Sequence, residues 1–268
     1  MIEMRDGARI PLHTVGSGPD LVVVHGGGVT IDIYRRLASR LADRFTVHLY
    51  NRRGRADAPP RSVPYSMQED VDDLREVLAH IGAVNVLGHS GGAVVALEAA
   101  RQQVPMERLA VYDAPVQVDG LFPVGWLPAA RAAAQAGDTA LALALTGAGL
   151  NTQSSAGRLP VRMQVAITKM FLRTPIGRTM GELVAMTLDE SAAIDEHCGP
   201  ATRWAGITAE VLLVCGAKGP PYYPKIHRAL AGAIPNARTM ELPGSQHDGL
   251  ARATPRIVEP FAEFFARR

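Results

Sequence analysis

Short apolar runs alternate with amphipathic stretches over most of the chain. Residues 21–24, 45–50, 84–87, 109–112, 210–215 and 237–242 are rich in β-branched and aliphatic side chains and read as strands. Between them the period lengthens to that of a helix, over 34–42, 66–81, 93–101, 225–233 and 256–266. The clearest case is 66–81, where Met67, Val71, Leu74, Leu78 and Ile81 recur every third or fourth residue, while acidic residues and Arg75 cover the other face. Ser66, with Glu69 three positions on, has the pattern of a capping box. Apolar strands alternating with helices predict an α/β fold, a mostly parallel central sheet covered by helices on both faces.

From 115 to about 206 the strand signal stops. This segment is alanine-rich and helical in pattern, with candidate helices at 127–145, 161–172 and 176–194 broken by Pro and Gly. An insertion following the C-terminal end of a strand would overhang the place where open α/β sheets bind ligands. The expected organisation is therefore a core of residues 1–114 and 207–268 with a helical lid of residues 115–206.

Composition narrows the partners. At 268 residues and 47% hydrophobic, the chain can bury one full core with an insertion more readily than two independent domains. A formal net charge of +2, with the arginines spread along the chain, indicates neither nucleic-acid binding nor attachment to an anionic membrane. Aromatic residues at 5% are too sparse for base-stacking platforms. Residues 1–19 carry Glu3, Arg5, Asp6 and Arg9 without an apolar segment of secretory length, and no stretch reaches the ~18 apolar residues of a membrane span. A cytosolic location is expected. The two cysteines, Cys198 and Cys215, cannot build a disulfide framework and lack the neighbours of a zinc site, so no metal or cofactor is expected.

Ser90 is the most informative residue. It sits in Gly88-His89-Ser90-Gly91-Gly92, directly between the strand at 84–87 and the helix at 93–101, where a turn too tight for neighbouring side chains would hold its hydroxyl above the sheet. His25-Gly26-Gly27-Gly28 follows the strand at 21–24, and Leu242-Pro243-Gly244-Ser245-Gln246-His247 follows the strand at 237–242. In this order, the three motifs resemble those of the α/β-hydrolase superfamily over essentially the whole chain, in its serine-hydrolase branch with a helical cap.

A serine hydroxyl is a weak nucleophile and needs a base, a role that suits an imidazole titrating near neutrality. The resemblance implies His247 as that base and the backbone NH groups of Gly27 and Gly91 as the oxyanion hole. His25 and His89 belong to the two glycine motifs, where histidines support turns by hydrogen bonding; with Gly26 and Trp126 they are also candidate substrate contacts. The acid departs from the commonest family pattern. Gly216-Ala217-Lys218-Gly219-Pro220-Pro221 holds no carboxylate, whereas Asp113 stands directly after the preceding strand, where some members place it. Asp113 is therefore the candidate acid, against a turn-capping role, a Ser-His dyad or an inactive site. Asp248 adjoins the histidine but would point away from its ring.

The loop Asn51-Arg52-Arg53-Gly54-Arg55-Ala56-Asp57 resembles the family's Asp-x-Arg-Gly-x-Gly-x-Ser loop. Its arginines either tie neighbouring segments together, the reading weighed first, or meet an anionic substrate. Phe122, Trp126, Leu127, Leu143, Met163, Met170, Phe171, Met180 and Met186 either line a pocket for a hydrophobic acyl group or pack the lid; the two readings weigh evenly. Relatives that open epoxides or remove halides use an aspartate at the elbow, so Ser90 favours acyl chemistry. The expected activity is hydrolysis of an ester, thioester or lactone of a small hydrophobic acyl substrate. The rivals are a ligand-binding protein on the same fold and a biosynthetic cyclase or acyltransferase.

Overall fold

The protein is described by a computed structural model that covers residues 1–153 and 155–266. Its centre is a seven-stranded sheet of β3 (His13–Val15), β4 (Asp20–Val24), β5 (Thr46–Leu49), β6 (Asn85–His89), β7 (Arg108–Tyr112), β8 (Glu210–Gly216) and β9 (Ala237–Leu242), in the order β3-β5-β4-β6-β7-β8-β9. Only β3 runs antiparallel, pairing His13 with Leu49 and Val15 with Val47; every other pairing is parallel. The central strands are continuous apolar runs because both their faces are covered. Val22, Val24, Val86, Val111 and Leu213 pack into one core, and Leu21, Val23, Leu87, Ala110 and Leu212 into the other.

The first core is closed by α2 (Met67–Ile81), α3 (Gly91–Arg101) and α9 (Tyr222–Ala233), the second by α1 (Arg35–Leu41) and α11 (Pro255–Ala266). This is the layered architecture that the alternating pattern predicts. A small antiparallel pair, β1 (Ile2–Glu3) with β2 (Arg9–Ile10), precedes the sheet. The charged N-terminus conceals it, since strands of two residues carry no readable alternation.

Between β7 and β8 the chain forms α4 (Leu127–Gln135), α5 (Thr139–Leu150), α6 (Val161–Phe171), α7 (Pro175–Glu182) and α8 (Val184–Glu196). The two ends of this insertion meet at a bridge between Val118 and Gly199, with Asp119 N–H donating to the Gly199 carbonyl at 3.1 Å. Leu127, Ala130, Ala133, Ala142, Val184 and Leu188 give it an apolar cluster of its own.

The single helix expected at 127–145 is two. Gly137 takes a left-handed φ of 77°, and the Asp138 carboxylate then accepts the Leu141 N–H at 3.0 Å to start α5. The stretch 176–194 likewise divides at Leu183. The capping box at Ser66 does not form: Glu69 bonds instead to the backbone and hydroxyl of Ser62, and only the Ser66 carbonyl meets the Glu69 N–H. Among the described residues no helix is long and apolar enough to cross a membrane.

Candidate active site

The turn from β6 to α3 places Ser90 at φ 52° and ψ −125°, a conformation that L side chains rarely adopt. The Ser90 N–H donates to the Tyr112 carbonyl at 3.0 Å, which fixes the turn to the next strand. The flanking glycines are required sterically. A Cβ on Gly88 would lie 2.6 Å from Ala93 Cα, and one on Gly92 would strike the carbonyls of Val24 and His25.

Asp113, the residue after β7, is fully buried and also left-handed, at φ 48°. Its Oδ1 accepts the Gly216 N–H at 3.2 Å, and its Oδ2 accepts the His247 ring Nδ1–H at 3.0 Å. The end of β8, which carries no acid, thus supplies an amide to the acid of its neighbour. With Nδ1 protonated, Nε2 of His247 is the basic nitrogen. The ring lies between His89, at a centroid distance of 4.8 Å, and Tyr223, stacked at 5.7 Å and 4°. Tyr112 holds the same loop through its hydroxyl, which donates to the Gln246 carbonyl at 2.6 Å. Asp248 turns away, as expected, and accepts from Arg252 at 2.7 Å.

A hydrogen-bond chain joins the three motifs. Gly26 N–H donates to the Tyr34 hydroxyl at 3.1 Å, that hydroxyl donates to His89 Nδ1 at 2.5 Å, and His89 Nε2–H donates to the His247 carbonyl at 3.0 Å. Burial raises the Tyr34 pKa and keeps the phenol a donor. His25 is engaged likewise, its Nδ1–H donated to the Gly26 carbonyl at 2.8 Å and its Nε2 accepting the Arg52 N–H at 2.9 Å. His25 and His89 therefore support the glycine motifs with both ring nitrogens, and neither nitrogen is left to contact a substrate. Trp126 is turned into the inserted helices, with its Nε1–H on the Pro123 carbonyl at 2.7 Å and its ring against Gly149.

Burial pushes the pKa of His25 and of His89 well down and that of His227 down to about 3. His227 Nε2 accepts the Ala114 N–H at 3.3 Å and must stay unprotonated to do so. Below pH ~6.5 the unfolded chain binds protons that these folded imidazoles refuse, so stability falls as the medium is acidified toward the folded values. The expected slope is up to about 1.4 kcal/mol per pH unit for each histidine. Denaturant unfolding at pH 7.5, 6.5 and 5.5 measures it, and His227→Gln should reduce the total slope by one histidine's share.

The arginine loop supports the tying role read first from its sequence. Arg52 donates to Asp70 through Nε at 3.0 Å and through Nη2, and Arg53 to Asp73 through Nε at 2.8 Å and Nη2 at 2.9 Å. Asn51 accepts the Ile31 N–H at 2.9 Å and donates to Asp57 at 2.7 Å. Arg55 reaches instead to Glu190 on α8, which also accepts from Arg52 Nη1 at 3.3 Å.

Glu190 is buried beside the glycine motifs. Its Oε2 lies 3.0 Å from the position a Cβ would take on Gly27 and 3.5 Å from that on Gly91, and the latter position is also 3.5 Å from the Gly27 nitrogen. Of the apolar residues expected to line a pocket, Met163, Met170 and Phe171 are exposed, Leu127 packs among the inserted helices, and Phe122 packs against Tyr222. Met186 approaches the position of a Cβ on Gly54 to 2.6 Å. Glu190, Tyr34 and Tyr223 belong to no motif. The one signal for Glu190 was a charge amid the apolar residues Leu188, Ala193 and Ile194.

The model of the alpha/beta hydrolase family matches residues 21–260. A crystal structure of an alpha/beta hydrolase from Sphaerobacter thermophilus superposes with a TM-score of 0.82 at 28% identity, covering 99% of both chains. Among curated proteins, the uncharacterized hydrolase YraK of Bacillus subtilis is 38% identical over 34% of this chain and 35% of its own length. A soluble epoxide hydrolase of a Corynebacterium species is 32% identical over 46% of this chain and 43% of its own length. The chain thus spans less than half the length of these curated relatives, while the family match runs from β4 into α11 and takes in all three motifs. With the six parallel strands, the elbow and the histidine loop inside that match, the chain belongs to the alpha/beta hydrolase family.

Proposed function

We propose that the protein is a serine hydrolase acting through an acyl-enzyme on Ser90. The observation that carries this reading is the buried Asp113 bonded at 3.0 Å to the Nδ1 of His247, on a loop that is itself bonded at 3.0 Å to the residue preceding Ser90. In this reading His247 Nε2 takes the Ser90 proton as Oγ bonds to the substrate carbonyl carbon. The oxyanion meets the NH groups of Gly27 and Gly91. His247 then returns the proton to the leaving alcohol or thiol as its bond to carbon breaks. Water attacks the acyl-enzyme, yields its proton to His247, and Ser90 recovers that proton as the acid leaves. Asp113 keeps Nδ1 protonated and stabilises the imidazolium formed in each half.

The substrate class is an ester, thioester or lactone of a small acyl compound, with residues 115–206 as lid and the cytosol as the place of action. A hydroxyl at the elbow supports acyl transfer over epoxide opening, which on this fold needs a carboxylate there. A fluorophosphonate probe should label the folded protein stoichiometrically, with labelling abolished in Ser90→Ala and strongly slowed in His247→Ala. Failure of the folded protein to label anywhere between pH 6 and 9 would overturn the reading.

A further inference from the structure

The loop arginines differ in how their guanidinium edges are filled. On Arg52 and Arg53 the edge formed by Nε and Nη2 meets both oxygens of one carboxylate, Asp70 and Asp73 respectively. On Arg55 the same edge is half used: Nη2 meets Glu190 Oε1, while Nε is buried and has no partner among the described residues. Arg55 is 2% exposed, so the edge is shielded from bulk solvent. A buried donor left unpaired costs free energy, and a planar fork of this kind fits a two-oxygen anion.

Position and charge point the same way. Glu190 is the one member of the cluster carried by an inserted helix; Arg52, Arg55 and Asp70 belong to the core. Its Oε2 lies beside Gly27 and Gly91, whose NH groups are the expected oxyanion donors, at 3.0 and 3.5 Å from the positions a Cβ would take on them. Arg52 and Arg55 are balanced by Asp70 and Glu190, so withdrawing Glu190 leaves one uncompensated positive charge beside Ser90.

We propose that Arg55, backed by Arg52, is a subsite for a carboxylate carried by the substrate, and that Glu190 holds this subsite one-pronged until the substrate carboxylate displaces it. The proposal rests on the acyl-transfer reading and narrows its substrate to esters or lactones bearing a free carboxylate near the scissile carbonyl. Displacement completes the Arg55 fork and moves the Glu190 carboxylate away from Gly27 and Gly91. Substrate charge thereby becomes a determinant of which esters the site accepts.

The test compares mono-4-nitrophenyl glutarate with 4-nitrophenyl butyrate, using the full chain. The expected ratio of kcat/KM, glutarate to butyrate, is tenfold or more in the natural protein. It should fall at least tenfold in Arg55→Gln and rise in Glu190→Gln, which removes the competing anion without removing the cation. Opposite movements in two variants are not produced by misfolding. 3-Carboxyphenyl butyrate separates a carboxylate on the leaving group from one on the acyl group, and a preference for either ester supports the subsite. A ratio that neither variant changes overturns the proposal while leaving acyl transfer intact. If no ester is turned over, calorimetric titration of Ser90→Ala with glutarate decides it. Binding that tightens with Glu190→Gln and is lost with Arg55→Gln supports the subsite, and no binding overturns it.

Discussion

Replacing Asp113 by asparagine is expected to lower kcat for ester hydrolysis by about four orders of magnitude with little change in KM. The reason lies in the two partners of the carboxylate. Gly216 N–H donates to Oδ1 at 3.2 Å and accepts nothing, so the asparagine oxygen must remain there and its NH2 must face His247. Nδ1 of the imidazole then has to accept, the ring proton moves to Nε2, and the nitrogen that acts as base in the proposed mechanism loses its basicity. The side chain keeps its volume and one hydrogen bond, so the fold should persist, as circular dichroism can verify. Steady-state kinetics on a nitrophenyl ester measures the effect. A loss smaller than tenfold would mean that Asp113 does not orient the base.

The largest effect on stability is expected at Asp70, which bonds a loop arginine rather than a reacting atom. Arg52 and Asp70 are both buried, and Asp70 also accepts from the Tyr65 hydroxyl at 2.7 Å. A buried ion pair is weak evidence of net stabilisation, but removing one partner leaves the other as an uncompensated charge. Asp70→Ala should therefore cost about 3–5 kcal/mol, seen as a lower denaturant midpoint and a Tm lowered by about 10 °C. The double variant Asp70→Leu, Arg52→Met should recover much of that loss. Burial alone would raise the Asp70 pKa, and Arg52 more than offsets it, so the carboxyl lies below its ordinary value. The sign follows: its contribution is complete above the unfolded pKa of about 3.9 and is lost as pH falls through the lower folded value. If Asp70→Ala unfolds at the natural midpoint, the pair carries no such strain.

The sheet was legible because each central strand is covered on both faces and shows it as an unbroken apolar run, as in Leu21 to Val24. Boundaries were less so. Nothing in the alanine-rich stretch told that Gly137 would adopt a left-handed turn while Gly147 would lie inside α5. Within the site, Ser90, His247 and Asp113 could be named from the chain because each directly follows or closely trails a strand. Tyr34 and Glu190 could not, since their importance arises from distance bridged: Tyr34 touches Gly26 and His89, and Glu190 meets arginines more than a hundred residues earlier. Sequence spacing records what is adjacent along an element, and the contacts of Tyr34 with His89 and of Glu190 with the arginines join elements that are remote in the chain.

The left-handed backbone at Ser90 has a consequence for laboratory evolution. Such a torsion costs a non-glycine residue of order 1–3 kcal/mol, and glycine relieves it without cost in strain. Ser90→Gly is thus a route to a sturdier chain that has lost its nucleophile. Heat-challenge libraries scored only on survival would enrich such inert clones, so selection for robustness in this scaffold has to be yoked to turnover at every round.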